Sequence, residues 1–350
     1  MTQQDVIAIL YQALPPPVID GLRKDAKPGG YSDGGADIGF VLRGRGHELL
    51  TPVADPDPAR PLDWVFPDTA EGIADAMGKG ATILWANSVL FEGHPIEAVL
   101  GQVRIVGQLP ELMQRYDDKF ATNRMLEEAG LPVARSFLMA QSARPGVRAL
   151  ADIEAAIADT GLTFPLIVKP VRGRGSRGVT RVVDLAGLVS AGTALIADAK
   201  FGDTLIVEEY LAGEEVTVTV MPPVDGVYRA LRPVRRFDQK DGVAPYNGDV
   251  AVTANSVAID AEELASPAVQ AMLDACVKAA ALVGARAVIR IDCRADASGA
   301  YKLFDLNMKP NMTGPGRPGR DDQDCLSAIA ARADGWDFAQ LLEAMLAGVW

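Results

Sequence analysis

Residues 165–184 read "PLIVKPVRGRGSRGVTRVVD", and the order strand, glycine loop, strand limits the fold more than any other feature of the chain. Gly173, Gly175 and Gly178 satisfy the spacing G-x-G-x-x-G. A dinucleotide site with that spacing needs a helix after the glycines, because the pyrophosphate rests on the helix N-terminus. Here the next residues, "VTRVVD", alternate and are β-branched, so the glycines join two strands. The stretch predicts a hairpin tip whose backbone N–H groups and Ser176 hydroxyl can wrap phosphate oxygens, with glycine permitting close approach. Arg172, Arg174 and Arg177 make the tip basic, and Lys169 on the preceding strand can point at the same phosphates. The alternatives are a plain basic hairpin and, against the local context, a Rossmann-type oxidoreductase.

The 350 residues predict two or three domains. "VIAIL", "HELLTPV", "DWVFPD", "ATILWAN" and "VRIVGQ" read as strands between helical pieces such as "ADIGFVLRGRG", which indicates a parallel α/β sheet over residues 1 to about 117. "DDKFATNRMLEEAG" then predicts a helix stopped by Gly130 and Pro132, and "ALADIEAAIADTGL" a second. "TLIVEEYL" and "EEVTVTVM" read as strands, "SPAVQAMLDACVKAAALVGA" as a long helix, and "DFAQLLEAMLAGV" as the closing helix. "AVIRIDCRAD" and "YKLFDLNMKP" form a hairpin around "ASGA".

Composition removes several function classes. A formal net charge of −12 speaks against a nucleic-acid binder working by phosphate neutralisation. Three cysteines without C-x-x-C spacing fit a reducing cytoplasm better than a disulfide framework. The acidic start and the short apolar runs predict neither a signal peptide nor a membrane span. Only His47 and His94 are present, read as surface or loop histidines, so a His-based zinc site or a Ser-His-Asp triad is not expected.

The hairpin at 288–310 carries the densest chemistry. Asp305 and Asn307 are i and i+2 on one strand and share a face, while Asp292 lies on the other strand with Arg290 two residues before it. Two carboxylates and an amide oxygen are hard ligands suited to Mg²⁺.

The segments "DDKFATNRMLEEAGLPV", "FPLIVKPVRGRGSRGV", "VEEYLAGEEVTVTV", "VIRIDCRAD" and "FDLNMKPNMTGPG" occur in the order and spacing of ATP-grasp ligases. From about 117 onward the chain resembles the D-alanine–D-alanine ligase branch of that superfamily; the first third resembles its pre-ATP-grasp domain loosely. The resemblance implies an α/β fold with α+β lobes: a parallel pre-ATP-grasp domain over 1–117 on the substrate side, a small lobe with the phosphate loop over 118–209, and a large lobe with the metal site over 210–350. It implies ATP held by Lys119, Lys169, Gly175 and Ser176 at the phosphates, by Glu208 and the main chain at Tyr210 and Leu211 at adenine, and by Glu215 at the ribose. Mg²⁺, or Mn²⁺, would sit on Asp292, Asp305 and Asn307, where the family usually has Glu in place of Asp305. Arg290 would stabilise the tetrahedral intermediate, and Ser176 would close over the terminal phosphates. The implied activity is ATP-dependent joining of a carboxylate to an amine through an acyl phosphate, in a cytoplasmic homodimer acting on amino-acid-like substrates. Ligation to another nucleophile, simple phosphorylation of the carboxylate, and a nucleotide-binding protein that has lost ligation are the other readings.

Three stretches depart from the family pattern: "PPPVIDGLRKDAKPGGYSDGG", "FEGHPIE" and "RRFDQKDGVAPYNGD", with Asn311 where the family has a small glycine. These are the substrate-facing parts, so D-alanine specificity is not expected. Lys24, Asp25, Lys27, Arg235, Arg236 and Lys240 make them more basic than a D-alanine pocket needs, which suits an extra carboxylate or phosphate.

Overall fold

The computed structural model describes residues 5–198, 200–239, 242–243 and 251–350. Among them the strands form three larger sheets and a two-stranded ribbon, Val18–Ile19 with Leu22–Arg23. In the first sheet Val6–Tyr11 is flanked in parallel by Glu48–Leu50 and Ile83–Asn87, with Arg104–Val106 beyond. Residues 7–10 and 83–86 of its central strands are buried and apolar, as a parallel sheet covered on both faces requires. "DWVFPD" supplies only Phe66–Pro67, because Pro61–Asp63 takes up a 3₁₀ turn.

The second sheet runs Thr180–Val182, Leu166–Pro170, Thr204–Glu209, Ser136–Ala140, Val147–Ala149. Leu166–Pro170 and Thr180–Val182 are antiparallel neighbours, so the glycine loop is a hairpin connection with no helix following it. This sheet has its own core, in which Met139, Leu166, Val168, Leu188, Leu205 and Val207 are buried. The third sheet is antiparallel, in the order Ser256–Ala258, Val234–Arg236, Glu215–Val224, Ile289–Ala295, Tyr301–Asn307. Helix Pro267–Leu282, capped by Ser266, covers one face through Val269, Met272, Cys276 and Ala279. Helix Leu326–Ala333 has no counterpart in the sequence reading; its alanine-rich turns pack beside Phe338, Leu341 and Leu342. No helix among the described residues is long and apolar enough to cross a membrane.

Two contacts lock the first sheet to the third and so position the site. Asp37, fully buried in helix Ser32–Gly44, accepts from Arg317 Nε at 2.9 Å and from Arg320 Nε at 2.7 Å. Removing one partner of such a buried pair costs about 3–5 kcal/mol. At Gly34 the same helix comes so close that a Cβ would meet the Met312 carbonyl oxygen at 3.1 Å.

Candidate active site

A cleft lies between the glycine hairpin and the third sheet, lined by Lys119, Lys169, Gly175, Ser176, Glu208, Tyr210, Leu211, Glu215, Asp292 and Asp305. These are expected site residues from distant parts of the sequence. Lys119 opens helix Lys119–Glu128, whose N-cap Asp118 accepts from Ala121 N, and its own N–H donates to Val171 O at the base of the glycine loop. Gly175 and Ser176 both take positive φ, 59° and 57°. For serine that conformation is strained, a cost found at sites where the surroundings over-determine the backbone.

Lys169 is buried, and its Nζ donates to Glu208 Oε1 at 2.7 Å and to Phe304 O at 3.3 Å. Glu208 Oε2 is buried without a hydrogen-bond partner. Burial pushes the Glu208 carboxyl above its ordinary value, and the Lys169 ammonium offsets this only in part. Glu215, at the start of its strand, faces Gln239 Nε2 at 3.0 Å and Arg294 at 3.8 Å. Burial, reinforced by the Asp292 carboxylate, raises its pKa to about 7. Arg294 and Arg181 sit over the Tyr210 ring, at 5.2 and 4.5 Å.

The acidic hairpin is in register: Asp292 lies opposite Asp305 and Arg290 opposite Asn307. Thr217 on the adjacent strand donates to Asp292 Oδ1 at 2.6 Å, and Lys119 Nζ donates to Asp305 Oδ1 at 2.5 Å. Burial would raise the Asp305 carboxyl, but the Lys119 ammonium outweighs it and holds the group below its usual range. Asn307 Oδ1 accepts from Lys309 N at 2.9 Å. Each carboxylate has one oxygen in these protein hydrogen bonds and its second directed to none of them. The donor set therefore fits a hard divalent cation bound through few protein oxygens, as Mg²⁺ is. Arg290 Nε is buried without a partner beside this face.

A second cavity, of about 490 Å³, is lined among the described residues by Lys27, Tyr31, Asp33, Asn311, Thr313 and Arg320. The loop that lines it is joined to the carboxyl end of the first strand, where α/β sheets bind ligands, by Gln12 N donating to Gly30 O at 2.8 Å. Tyr31 follows Gly29 and Gly30, and all three have positive φ. A Cβ at Gly30 would fall 2.0 Å from the Gln12 carbonyl oxygen, so only glycine lets the loop close on the first strand. Lys27 and Lys309 lie over the Tyr31 ring at 4.2 and 4.1 Å, and Arg174 reaches it from the glycine loop at 5.9 Å. Lys27 donates to Asn311 Oδ1 at 2.7 Å. Lys309 donates to Asn87 Oδ1 at 2.9 Å, and Asn87 donates to Tyr31 O at 2.9 Å. Burial, with the Arg174 guanidinium next in weight, lowers Lys27 to about 8.

Several expectations for the substrate loops are corrected. Arg235 does not serve the cleft: it is ion-paired to Glu214 and Glu263, because its side chain alternates to the other face from Arg236. Arg236 is buried and donates to Thr217 Oγ1 at 3.2 Å. Lys24 is paired with Asp117 and Asp25 with Arg177, while Lys240 lies outside the described residues. His94 is not a surface histidine. It is buried, with Nε2 3.2 Å from Asp68 Oδ2, and that oxygen also accepts from Ser88 at 2.5 Å. Asp68 Oδ1 takes the N–H groups of Ala13 and Leu14, so this trio ties loop 91–97 to the exit of the first strand. Sequence reasoning missed Tyr31, Asn87 and Lys309. The Gly-Gly before Tyr31 was a usable signal, since it marks a backbone that must turn left-handed.

Residues 125–347 match the family model described as the D-ala D-ala ligase C-terminus. The D-alanine–D-alanine ligase of Ectopseudomonas mendocina is 31% identical over 235 residues, 66% of this chain and 64% of that relative. That of Haemophilus influenzae is 33% identical over 196 residues, 56% of this chain and 61% of the relative. The chain thus spans a little under two thirds of the length of these relatives. Among solved structures, the VanG D-Ala:D-Ser ligase of Enterococcus faecalis superposes with a TM-score of 0.66 at 16% identity, covering 98% of this chain and 99% of that one. The D-alanine–D-alanine ligase of Bacillus anthracis complexed with ATP gives 0.64 at 14% identity, covering 98% and 95%. The architecture is the ATP-grasp fold, as the resemblance to the ATP-grasp ligases implied. With well over half its length matched by the model, the chain belongs to the family of the D-ala D-ala ligase C-terminus.

Proposed function

We propose that the chain is an ATP-dependent, ADP-forming ligase that joins a carboxylate to an amine. The observation that carries this reading is Lys119 bridging the glycine-loop cleft to the acidic hairpin through Asp305, which sets phosphate-type cations against metal-type oxygens. Lys119, Lys169, Gly175 and Ser176 would hold the phosphates of ATP. Glu208 with the main chain at Tyr210 and Leu211 would hold adenine, and Glu215 the ribose hydroxyls. Asp292, Asp305 and Asn307 would hold Mg²⁺, which when bound supplies neutralising charge to the phosphate oxygens.

Phosphoryl transfer asks the protein for alignment and charge more than for covalent help. A carboxylate oxygen of the first substrate attacks the γ-phosphorus, the bond to the β-phosphate bridging oxygen breaks, and ADP leaves. The amine of the second substrate, having lost a proton, then attacks the acyl carbon, and the C–O bond to phosphate breaks. Arg290, whose Nε has no hydrogen-bond partner among the described residues, would stabilise the oxyanion that this attack creates.

The division into a substrate-side domain over 1–117, a small lobe over 118–209 and a large lobe over 210–350 follows the three sheets and is proposed with the function. A homodimer in a reducing cytoplasm, with Cys276, Cys293 and Cys325 free, is proposed as its setting. The first substrate is proposed to be amino-acid-like and other than D-alanine. ADP formation from ATP and Mg²⁺, measured with amino acids singly and in pairs, tests the reading. ADP that rises only when an acid is present supports it; efficient D-alanine dipeptide synthesis, with no better pair, overturns the specificity.

A further inference from the structure

We propose that Lys27, Lys309, Arg174 and Arg290 form an anion subsite for the acyl-donating substrate, which carries a second anionic group, carboxylate or phosphate, besides the carboxylate given to ATP. The inference rests on the ligase reading for which substrate it concerns, and on charge and geometry for the rest. Lys27 and Lys309 approach one ring, Tyr31, within 4.2 Å, and Arg174 approaches the same ring at 5.9 Å. The fields of Arg174 and Arg290 both act on Lys27 and on Tyr31, so all four cations share one region.

Their protein partners do not neutralise them. Lys27 is held by the amide of Asn311; Lys309 is held by the amide of Asn87 and by its neighbour's carbonyl. Arg174 Nη1 and Arg290 Nε are buried with no hydrogen-bond partner. Among the described residues no carboxylate lies within 4 Å of any of the four. The carboxylate that acts most on Lys27 among the described residues is Asp33, which is largely exposed and already 3.4 Å from Arg317. A π-face offsets a cation by only about 0.5–2 kcal/mol, so three cations on one ring leave most of the charge uncompensated. Three neighbouring cations are paired instead: Lys119 with Asp305, Lys169 with Glu208, Arg320 with Asp37. What sets the cluster apart is that three of its cations gather around one ring, and a substrate anion is the group that would complete it.

The subsite is separate from the phosphate end of the nucleotide cleft. Lys27, Tyr31 and Asn311 line the 490 Å³ cavity, in which neither Lys119, Lys169 nor Ser176 takes part. Arg174 belongs to the glycine loop and reaches across to the Tyr31 ring, joining the two spaces. A substrate bridging them would present one carboxylate toward Arg290 and the nucleotide, and a second anion toward Lys27 and Lys309. Charge-assisted bonds to a fixed ammonium discriminate strongly against a neutral group at that point.

The test is calorimetric titration of the full chain, held with Mg²⁺ and a non-hydrolysable ATP analogue. Matched acids are used: D-alanine against D-aspartate and O-phospho-D-serine, and propionate against succinate and 3-phosphonopropionate. At least one dianionic acid should bind about tenfold or more tightly than its monoanionic counterpart. The carboxylate and phosphate arms decide which anion is taken. Lys27→Gln, in a surface loop, should abolish that preference and leave the Kd of the nucleotide analogue unchanged; Lys309→Met should also abolish it. The inference is overturned if no dianionic acid outbinds its counterpart, if the preference survives both substitutions, or if Lys27→Gln weakens the nucleotide instead. Acid-dependent ADP formation is read separately, so loss of the ligase reading leaves the binding result standing.

Discussion

Lys169→Met isolates the buried Lys169–Glu208 pair, and its cost can be bounded from the structure. Methionine keeps the apolar stem packed in a strand whose residues are all buried, so little cavity forms. What is lost is the ammonium at 2.7 Å from Glu208 Oε1, in a place where Oε2 already lacks a partner. An unpaired carboxylate there would cost several kcal/mol, so the group takes a proton instead. Keeping a carboxyl neutral in the fold while the unfolded chain ionises it near pH 4.3 costs at most about 3.7 kcal/mol at pH 7 and about 1 kcal/mol at pH 5. The sign follows from a folded-state pKa raised above the unfolded one: stability is retained at low pH and lost as pH rises. The deficit of the variant relative to wild type should therefore grow by up to about 2.7 kcal/mol between pH 5 and pH 7. Hydrogen exchange of the amides in Leu166–Pro170 and Thr204–Glu209, measured at both pH values, reads the lobe that holds the pair. Lys169→Met with Glu208→Gln should recover most of the loss at pH 7. An equal deficit at both pH values, or a double variant no better than the single, would refute the argument that an orphaned Glu208 carboxyl is the cause.

Asp292→Asn and Asn307→Ala should each lower turnover by two orders of magnitude or more with melting temperature nearly unchanged, because both lie on the cleft face of the hairpin and outside its core; steady-state ADP formation beside a thermal melt checks this, and full Asn307→Ala activity removes that residue from the metal site. Binding of a dianionic acid should fall about tenfold between pH 7 and 9 as Lys27 loses its proton near pH 8, and should lose less in Lys27→Gln. The charges facing Lys27 are Arg174, Arg290, Asp33 and Lys309, with Cys325 neutral in this range because burial pushes its thiol up to about 12, so the comparison with the variant isolates the lysine. Gly30→Ala should cost more than about 2 kcal/mol, since backbone strain adds to a clash with the Gln12 carbonyl, whereas Gly29→Ala meets only Ser32 Oγ at 3.5 Å and should cost about 1–2. Urea denaturation ranks the two.

What the sequence made legible is local in origin. The glycine hairpin was readable because a short apolar run precedes Gly173–Gly178 and the alternating, β-branched "VTRVVD" follows it. The face shared by Asp305 and Asn307 was readable because i and i+2 in a strand always share one. Helix Pro267–Leu282 announced itself through Ser266, Pro267 and a long apolar stripe. The Tyr31 cluster was not readable, since Lys27 and Lys309 are separated by most of the chain and meet only after the first sheet docks on the third. Arg235 and Arg236 carry identical local chemistry; strand alternation sends one to Glu214 and Glu263 and the other to the cleft side. His94 looked like a loop histidine because its loop position is real, and only the fold brings Asp68 and Ser88 to it. Helix Leu326–Ala333 was hidden by a glycine- and aspartate-rich approach that gives no cap signal: Cys325 stands at its N-cap with no side-chain hydrogen bond.

The central claim is that the chain activates a carboxylate with ATP, and hydroxylamine trapping tests it most directly. The enzyme is incubated with ATP, Mg²⁺, hydroxylamine and each acid of the matched set, and hydroxamate and ADP are measured together. An acyl phosphate formed at the site predicts hydroxamate and ADP in equal amounts, dependent on the acid and lost in Asp292→Asn. ATP that binds and yields ADP without acid, or yields no hydroxamate with any acid that binds, contradicts the account.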